Sequence, residues 1–380
     1  MDLEALISDS PVIVYIDIKS PYAYLAVQPT RELEHELGLK FDWRPFVLDI
    51  PSYLGSASLD KSGNVAEQNR SAEQWAGVKY AYADCRRYAS LSNMTIRGTV
   101  KIWDTNLIST AMLWAKQHNH QVLDKFIDLV YQPFWKRQLD IDDISIIEDL
   151  LDNAGADGSK FSNWANREGF AINQKLQDDA FDAGIYGVPT YIVNDQMYFG
   201  REHLPRVRWQ LGDQSKPAPD MAYTLPDESL MEHPTRRGNP QQITIGIENT
   251  LDCLLAIAAL KTLLDQYNLT AQWVAIQSKD FFPAPSKLTR SKKGQSRAAR
   301  HTQFRAQNHQ ADLQRYARAN VTSSAMAEAV RAELQRLEIT LTDQSPPDVT
   351  HPALPGIVVK IDENLFIGRQ HLPLIATLLG

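Results

Sequence analysis

The chain writes "GREHLP" at 200–205 and "GRQHLP" at 368–373, 168 residues apart. Internal repetition has to be settled before a fold class is assigned, and this period is the size of a domain, far above that of a solenoid unit. Two further pairs follow in the same order. "YLAVQPTRELEHELGLKFDW", ending at Trp43, matches "LLAIAALKTLLDQYNLTAQW", ending at Trp273, at an offset of 230. "DCRRYA" from Asp84 matches "DLQRYA" from Asp312 at an offset of 228. Three ordered matches imply a duplicated unit. The offset then falls by 60, so the second copy has lost about that many residues late in its course.

A length of 380 residues exceeds a usual single core and suits two domains. From Gly212 to Gln242 the chain carries five prolines and scattered charges without apolar periodicity, the mark of a linker. The expected division is a first domain at 1–212, a linker at 213–242 and a second domain at 243–380. The N-terminus is acidic, and its first apolar run, "VIVYIDI", is short and interrupted by Asp17, unlike a signal peptide. No segment approaches the roughly 20 apolar residues that cross a bilayer. Two cysteines exclude a disulfide framework and suit a reducing compartment. These features predict a soluble, cytoplasmic protein with no membrane partner.

In the first copy, "VIVYIDI" reads as a strand, "PYAYLAVQPTRELEHELG" as a helix stopping at Gly38, and "LKFDWRPFVL" as a second strand. Pro29 should kink that helix by removing a backbone bond. A strand, helix and strand in so short a span predict a parallel pair joined by a right-handed crossover. A helical stretch is expected from about Ala66 to Gly184. "GVPTYIVNDQMYFG" then reads as two strands around an Asn194-Asp195 turn, and "REHLPRVRWQL" as a closing helix. The second copy repeats the frame with a shorter insert, roughly Ser286 to Leu341. The fold class is therefore α/β: two thioredoxin-like domains, each with an inserted helical subdomain, the larger in the first copy.

Chemistry is expected at "DIKSPYAYLA". Ser20 follows the first strand as an N-cap, and Pro21 suits the first helical position, where its missing N–H costs nothing. The second half of the pattern is Gly187-Val188-Pro189-Thr190. With "SGN" at 62–64, "KYAYADCRRYA", "FWKRQLDIDD" and "YFGREHL", copy one resembles, over about residues 11–212, the DsbA-like group of 2-hydroxychromene-2-carboxylate isomerases and kappa-class glutathione transferases.

That resemblance implies a cis bond before Pro189 and glutathione as cofactor. It gives Ser20 the place of the first cysteine of a redox CxxC and the task of donating a hydrogen bond to the glutathione thiol. A helix N-terminus there would favour the thiolate further, and the thiolate is the nucleophilic form. It also implies that the Val188 backbone pairs with the cysteinyl part of glutathione and that Glu202, beside Arg201, holds its γ-glutamyl ammonium. The family has an aspartate and then an arginine where this chain has Glu202 and His203. Asn64 is a further binding candidate, and Tyr22 should overlook the site.

Copy two reads "TLDC" at the matching turn: Thr250 stands for Ser20, Gln370 for Glu202, and Pro355 is the expected counterpart of Pro189. Cys253 has no CxxC partner, so disulfide exchange is disfavoured in both copies, and copy two is expected to keep the frame without the site. Seven basic residues between Lys287 and Arg305 read as a solvated face, with no nucleic-acid partner expected. No metal-ligand spacing occurs. The function expected is a glutathione-dependent isomerase or transferase acting on a small-molecule electrophile, derived from an aromatic compound. The rivals are a non-catalytic thioredoxin-like scaffold and an oxidoreductase relative lacking CxxC. A linker of about 30 residues spans some 30 Å, so the two halves are expected to pack as an intramolecular pseudo-dimer.

Overall fold

The computed structural model describes residues 4–60, 65–226, 242–278, 296–317, 325–342 and 354–380. Strand β1 (Val12–Ile16) is buried along its whole length, as five consecutive apolar residues require of a central strand. It pairs parallel with β2 (Asp42–Pro45), across the helix α1 (Pro21–Leu37). The α1 helix is continuous through Pro29 and ends at Gly38, whose φ of 63° is the left-handed conformation that glycine adopts without strain.

On its other side β1 pairs antiparallel with a strand at Thr190–Val193, which turns back into one at Gln196–Phe199. Asn194 and Asp195 both take positive φ, 47° and 60°, the geometry of a tight hairpin turn. The second copy builds the same four-stranded order from Ile243–Ile247, Gln272–Ala275, Val358–Ile361 and Asn364–Ile367, with the helix Leu251–Gln266 as crossover. Both halves are thus thioredoxin-like. No helix among the described residues is long and apolar enough to cross a membrane.

The helical insert begins later than Ala66. A short helix, α2 (Ile50–Leu54), and a two-stranded ribbon of β3 (Ala57–Leu59) and β4 (Val65–Gln68) come first. Helix α3 (Ala72–Leu91) starts where Ser71 and Gln74 form a reciprocal capping box that satisfies two otherwise orphaned donors. Helices at Asn106–His118, His120–Trp135 and Ile144–Ala154 follow, and the last helical run reaches Asp182. In copy two, the insert's described helices are Arg297–Tyr316 and Met326–Arg336.

The two copies touch through like-for-like contacts. Tyr88 of α3 shares a 2.8 Å hydrogen bond with His371, and Tyr316 shares one of 2.7 Å with His203. Arg87 donates to the Leu365 carbonyl at 2.8 Å while Arg315 donates to that of Met197 at 3.1 Å. Arg87 lies over Phe366, and Arg315 over Tyr198. Each residue pairs with its repeat-mate's counterpart, so the duplicated "GRxHLP" and "RYA" segments form one interface. Both histidines are completely enclosed. Burial pushes the His203 imidazole down to about 3 and lowers that of His371, which keeps both rings neutral.

The basic run also enters this interface. Arg300 pairs with Asp182 at 2.6 Å and Arg297 with Asp49 at 3.3 Å, both across the copies. The predicted solvated face is therefore partly a contact face; its residues before Ser296 lie outside the described ones. Of the linker, 213–226 is described, and Tyr223 is buried between Tyr88 and His371.

Candidate functional site

Ser20 sits where β1 ends and α1 begins. Its φ and ψ of −92° and 115° are extended, its Oγ accepts the Ala23 N–H at 3.2 Å, and Pro21 opens the helix. The hydroxyl proton faces the Val188 carbonyl at 3.5 Å, the outer limit of a hydrogen bond. Oγ therefore has one lone pair engaged and a proton that a better acceptor could claim. The turn is rigid. Asp17, 1 % exposed, receives the Lys19 and Leu48 N–H groups, and its backbone carbonyl takes those of Ser20 N–H and the Tyr131 hydroxyl. Lys19 was not expected to matter. Its ammonium is buried, donates to the Trp103 carbonyl at 3.2 Å and lies 3.6 Å from Asp17, tying the Ser20 turn to the insert.

The Val188–Pro189 bond is cis, the only such bond among the described residues. Val188 is buried, and its N–H meets no acceptor among them. The Pro189 carbonyl accepts the Gly200 N–H at 2.9 Å, which brings the start of "GREHLP" to the turn. Gly200 has φ 109°, and the Glu202 carboxylate fills the space a Cβ there would need. That carboxylate is pushed up to about 7 by burial, with Arg201 offsetting part of the effect. Tyr22 is half-buried, and its hydroxyl donates to Asp84 at 3.3 Å. Asp84 is itself pushed up to about 6 by burial against the pull of Arg87 and Arg201. The site thus brings Ser20, Tyr22, Val188, Pro189, Arg201 and Glu202 to one end of the sheet. Asn64 lies outside the described residues.

Copy two holds the frame and fills it from within. Thr250 caps its helix by accepting the Cys253 N–H at 3.3 Å. The position matching Pro189 is Ile357, because the Gly368 N–H bonds the Ile357 carbonyl as Gly200 bonds Pro189. Pro355 lies two residues earlier, so the expected cis turn is absent from copy two. The Gly356 N–H, which corresponds to that of Val188, is taken by the Glu248 carboxylate. Asp252 receives the Ile357 N–H at 2.8 Å and that of Arg369 at 3.1 Å. In copy one these carboxylates are replaced by Ile18 and Tyr22. The two free cysteines are buried. Burial pushes the Cys253 thiol up to about 12 and raises that of Cys85, which leaves neither as a thiolate at neutral pH.

Known proteins resemble about half of the chain. A 2-hydroxychromene-2-carboxylate isomerase of Sphingobium xenophagum is 25 % identical over 193 residues, 50 % of this chain and 92 % of its own length. One from Pseudomonas sp. (strain C18) is 24 % identical over 195 residues, 50 % of this chain and 84 % of its own. A solved structure of a 2-hydroxychromene-2-carboxylate isomerase matches 51 % of this chain and 90 % of its own, at 20 % identity and a TM-score of 0.40. The family described as DSBA-like thioredoxin domain matches residues 11–212, over half of the chain. This chain belongs to the DSBA-like thioredoxin domain family.

Proposed function

We propose that copy one binds glutathione and serves as an isomerase or transferase toward an electrophilic, aromatic-derived substrate. The observation that carries this reading is the contrast between the copies. The Val188 N–H is open where the matching Gly356 N–H is closed by Glu248, and Ser20 Oγ–H has only a 3.5 Å partner. The residues of this turn fit the chemical groups of a thiol tripeptide. An amide carbonyl suits the Val188 N–H, a thiolate suits the Ser20 proton and the α1 N-terminus, and an ammonium suits the half-buried Glu202 carboxylate.

Bound there, glutathione would supply a thiolate nucleophile toward an electrophilic carbon, the thiol being a leaving group again in an isomerisation. Ser20 gives up its long contact to Val188 for a charge-assisted hydrogen bond to sulfur, which is roughly twice as strong as a neutral one. The dipole of α1 adds about 0.3–1 kcal/mol in favour of an anion at its first turn. Together these are worth one to two units of thiol pKa, at about 1.4 kcal/mol per unit. Glu202, neutralised in part by its own burial, recovers its charge against a cation. The relatives' names favour isomerisation over transfer, since they are called isomerases of a carboxylate.

In this reading copy two is a structural partner. Its turn is closed by Glu248 and Asp252, and its contacts with copy one mirror those that copy one makes with it, as in a pseudo-dimer. A second reading, a scaffold without catalysis, is favoured by that closed turn alone. Retention on a glutathione resin, followed by turnover of a panel of electrophiles by wild type and Ser20→Ala, separates the two. Loss of turnover in the variant supports the enzyme; absence of retention and of turnover in wild type supports the scaffold.

A further inference from the structure

The two arginines of the repeated "GRxHLP" segment share a place in the fold but differ in what they hold. Arg369, 3 % exposed, binds a carboxylate along one edge. Its Nε lies 2.8 Å from Asp220 Oδ2 and its Nη2 2.8 Å from Asp220 Oδ1, while Nη1 donates to Asp252 at 2.9 Å. Arg201 is 4 % exposed. Its guanidinium lies over the rings of Tyr223 at 3.8 Å and Tyr88 at 4.5 Å. Its Nε and Nη2, the same edge, have no hydrogen-bond partner. Stacking occupies the face of a guanidinium and leaves its edge to an in-plane acceptor. A buried charged donor pair without acceptors is costly, and native proteins rarely keep one without a use.

The neighbours do not supply the missing acceptor. Tyr22 stands where copy two has Asp252, and it donates to Asp84. Asp84 is engaged by Arg87 at 2.8 Å. In copy two, Asp252 alone spans the Ile357 N–H, the Arg369 N–H and the Arg369 guanidinium. The helix start, the turn and the arginine therefore lie within one carboxylate of each other. The same frame in copy one brings together the Ser20 helix start, Pro189 and Arg201.

We propose that the Nε/Nη2 edge of Arg201 receives a carboxylate of the ligand held at the Ser20 turn, in the way Asp220 is received by Arg369. This rests on the reading that the Ser20 turn binds a thiol peptide and its electrophile, either of which can bring the carboxylate.

The full-length chain is titrated calorimetrically with glutathione and with glutathione diethyl ester, whose carboxylates are masked. Wild type, Arg201→Gln and Arg201→Lys are compared, and thermal melts confirm that each is folded. If the thiol peptide is the source, wild type binds glutathione at least tenfold more tightly than the ester. Arg201→Gln then binds both alike, and Arg201→Lys falls between. If the electrophile is the source, glutathione affinity is unchanged by Arg201→Gln. Benzoate, used as a carboxylate probe in the presence of glutathione, then stabilises wild type against heat but not Arg201→Gln. A folded Arg201→Gln protein that discriminates glutathione from its ester as wild type does, and responds equally to benzoate, overturns the proposal. So does a wild type indifferent to both masking and benzoate. If wild type does not bind glutathione at all, the thiol-peptide reading fails separately, and benzoate alone decides Arg201: selective stabilisation of wild type supports it, and none overturns it.

Discussion

Removing the Tyr88 hydroxyl, in Tyr88→Phe, should weaken the whole chain although the residue is far from Ser20 in sequence. The hydroxyl shares a 2.8 Å bond with the Nδ1 of His371, a residue with no exposed surface, and Tyr88 is itself 3 % exposed. Phenylalanine keeps the ring and its burial, so the loss is confined to the hydrogen bond and to a histidine nitrogen left without its partner. That costs about 1–3 kcal/mol. Tyr316→Phe does the same to His203, whose bond is 2.7 Å, and should cost a similar amount. The two pairs share no residue, so the double variant should lose the sum, about 2–6 kcal/mol. This is a large part of the roughly 5–15 kcal/mol that stabilises a folded protein. Urea unfolding followed by tryptophan fluorescence measures all three variants. A double variant within about 0.5 kcal/mol of wild type would refute the claim that these bonds hold the copies together. Two singles differing several-fold would refute the like-for-like reading of the interface.

Other outcomes follow from the site and its surroundings. Binding of S-methylglutathione, which lacks a thiol proton, should strengthen between pH 6 and 8 as Glu202 ionises near 7, and Glu202→Gln should be weaker and flat across that range. Thr250→Ala should cost about 1 kcal/mol of stability through its lost cap but leave turnover intact, since copy two holds no open turn. Hydrogen bonds to Asp124 and Glu34 raise the His120 imidazole to about 9. Its folded value lies above the ordinary 6.5, so its contribution is complete below about pH 6.5, declines as pH rises and is gone above about 9. The difference in melting temperature between wild type and His120→Gln should shrink over that interval, and a constant difference would contradict the assignment.

Much of the frame could be read from local signals. Ser20 followed by Pro21 marked the start of α1, Gly38 its end, and Asn194-Asp195 the hairpin, because caps and turns depend on residues adjacent in the chain. The start of the insert was misplaced because the apolar spacing near Ala66 resembles a helix, whereas the Ser71/Gln74 capping box marks the true start. Pro355 drew attention as a proline before a strand, but counting back from Gly368 places Ile357 at the turn. The repeated His203 and His371 were visible only as repeats. That each meets the tyrosine of the other copy depends on how the two sheets are brought together, which no short stretch records. The closure of copy two by Glu248 and Asp252 was hidden for the same reason: a carboxylate near a helix start looks like a cap until the donors it reaches are known.

The central claim is that copy one lowers the thiol pKa of bound glutathione through Ser20. Ultraviolet absorbance of the thiolate, titrated against pH with the protein in excess over glutathione, measures it directly. In wild type the apparent value should fall one to two units below the ordinary 8.5 or so of a thiol. In Ser20→Ala it should return most of the way, leaving only the effect of the helix dipole. An unshifted thiol in wild type, or the same shift in both proteins, would contradict the account.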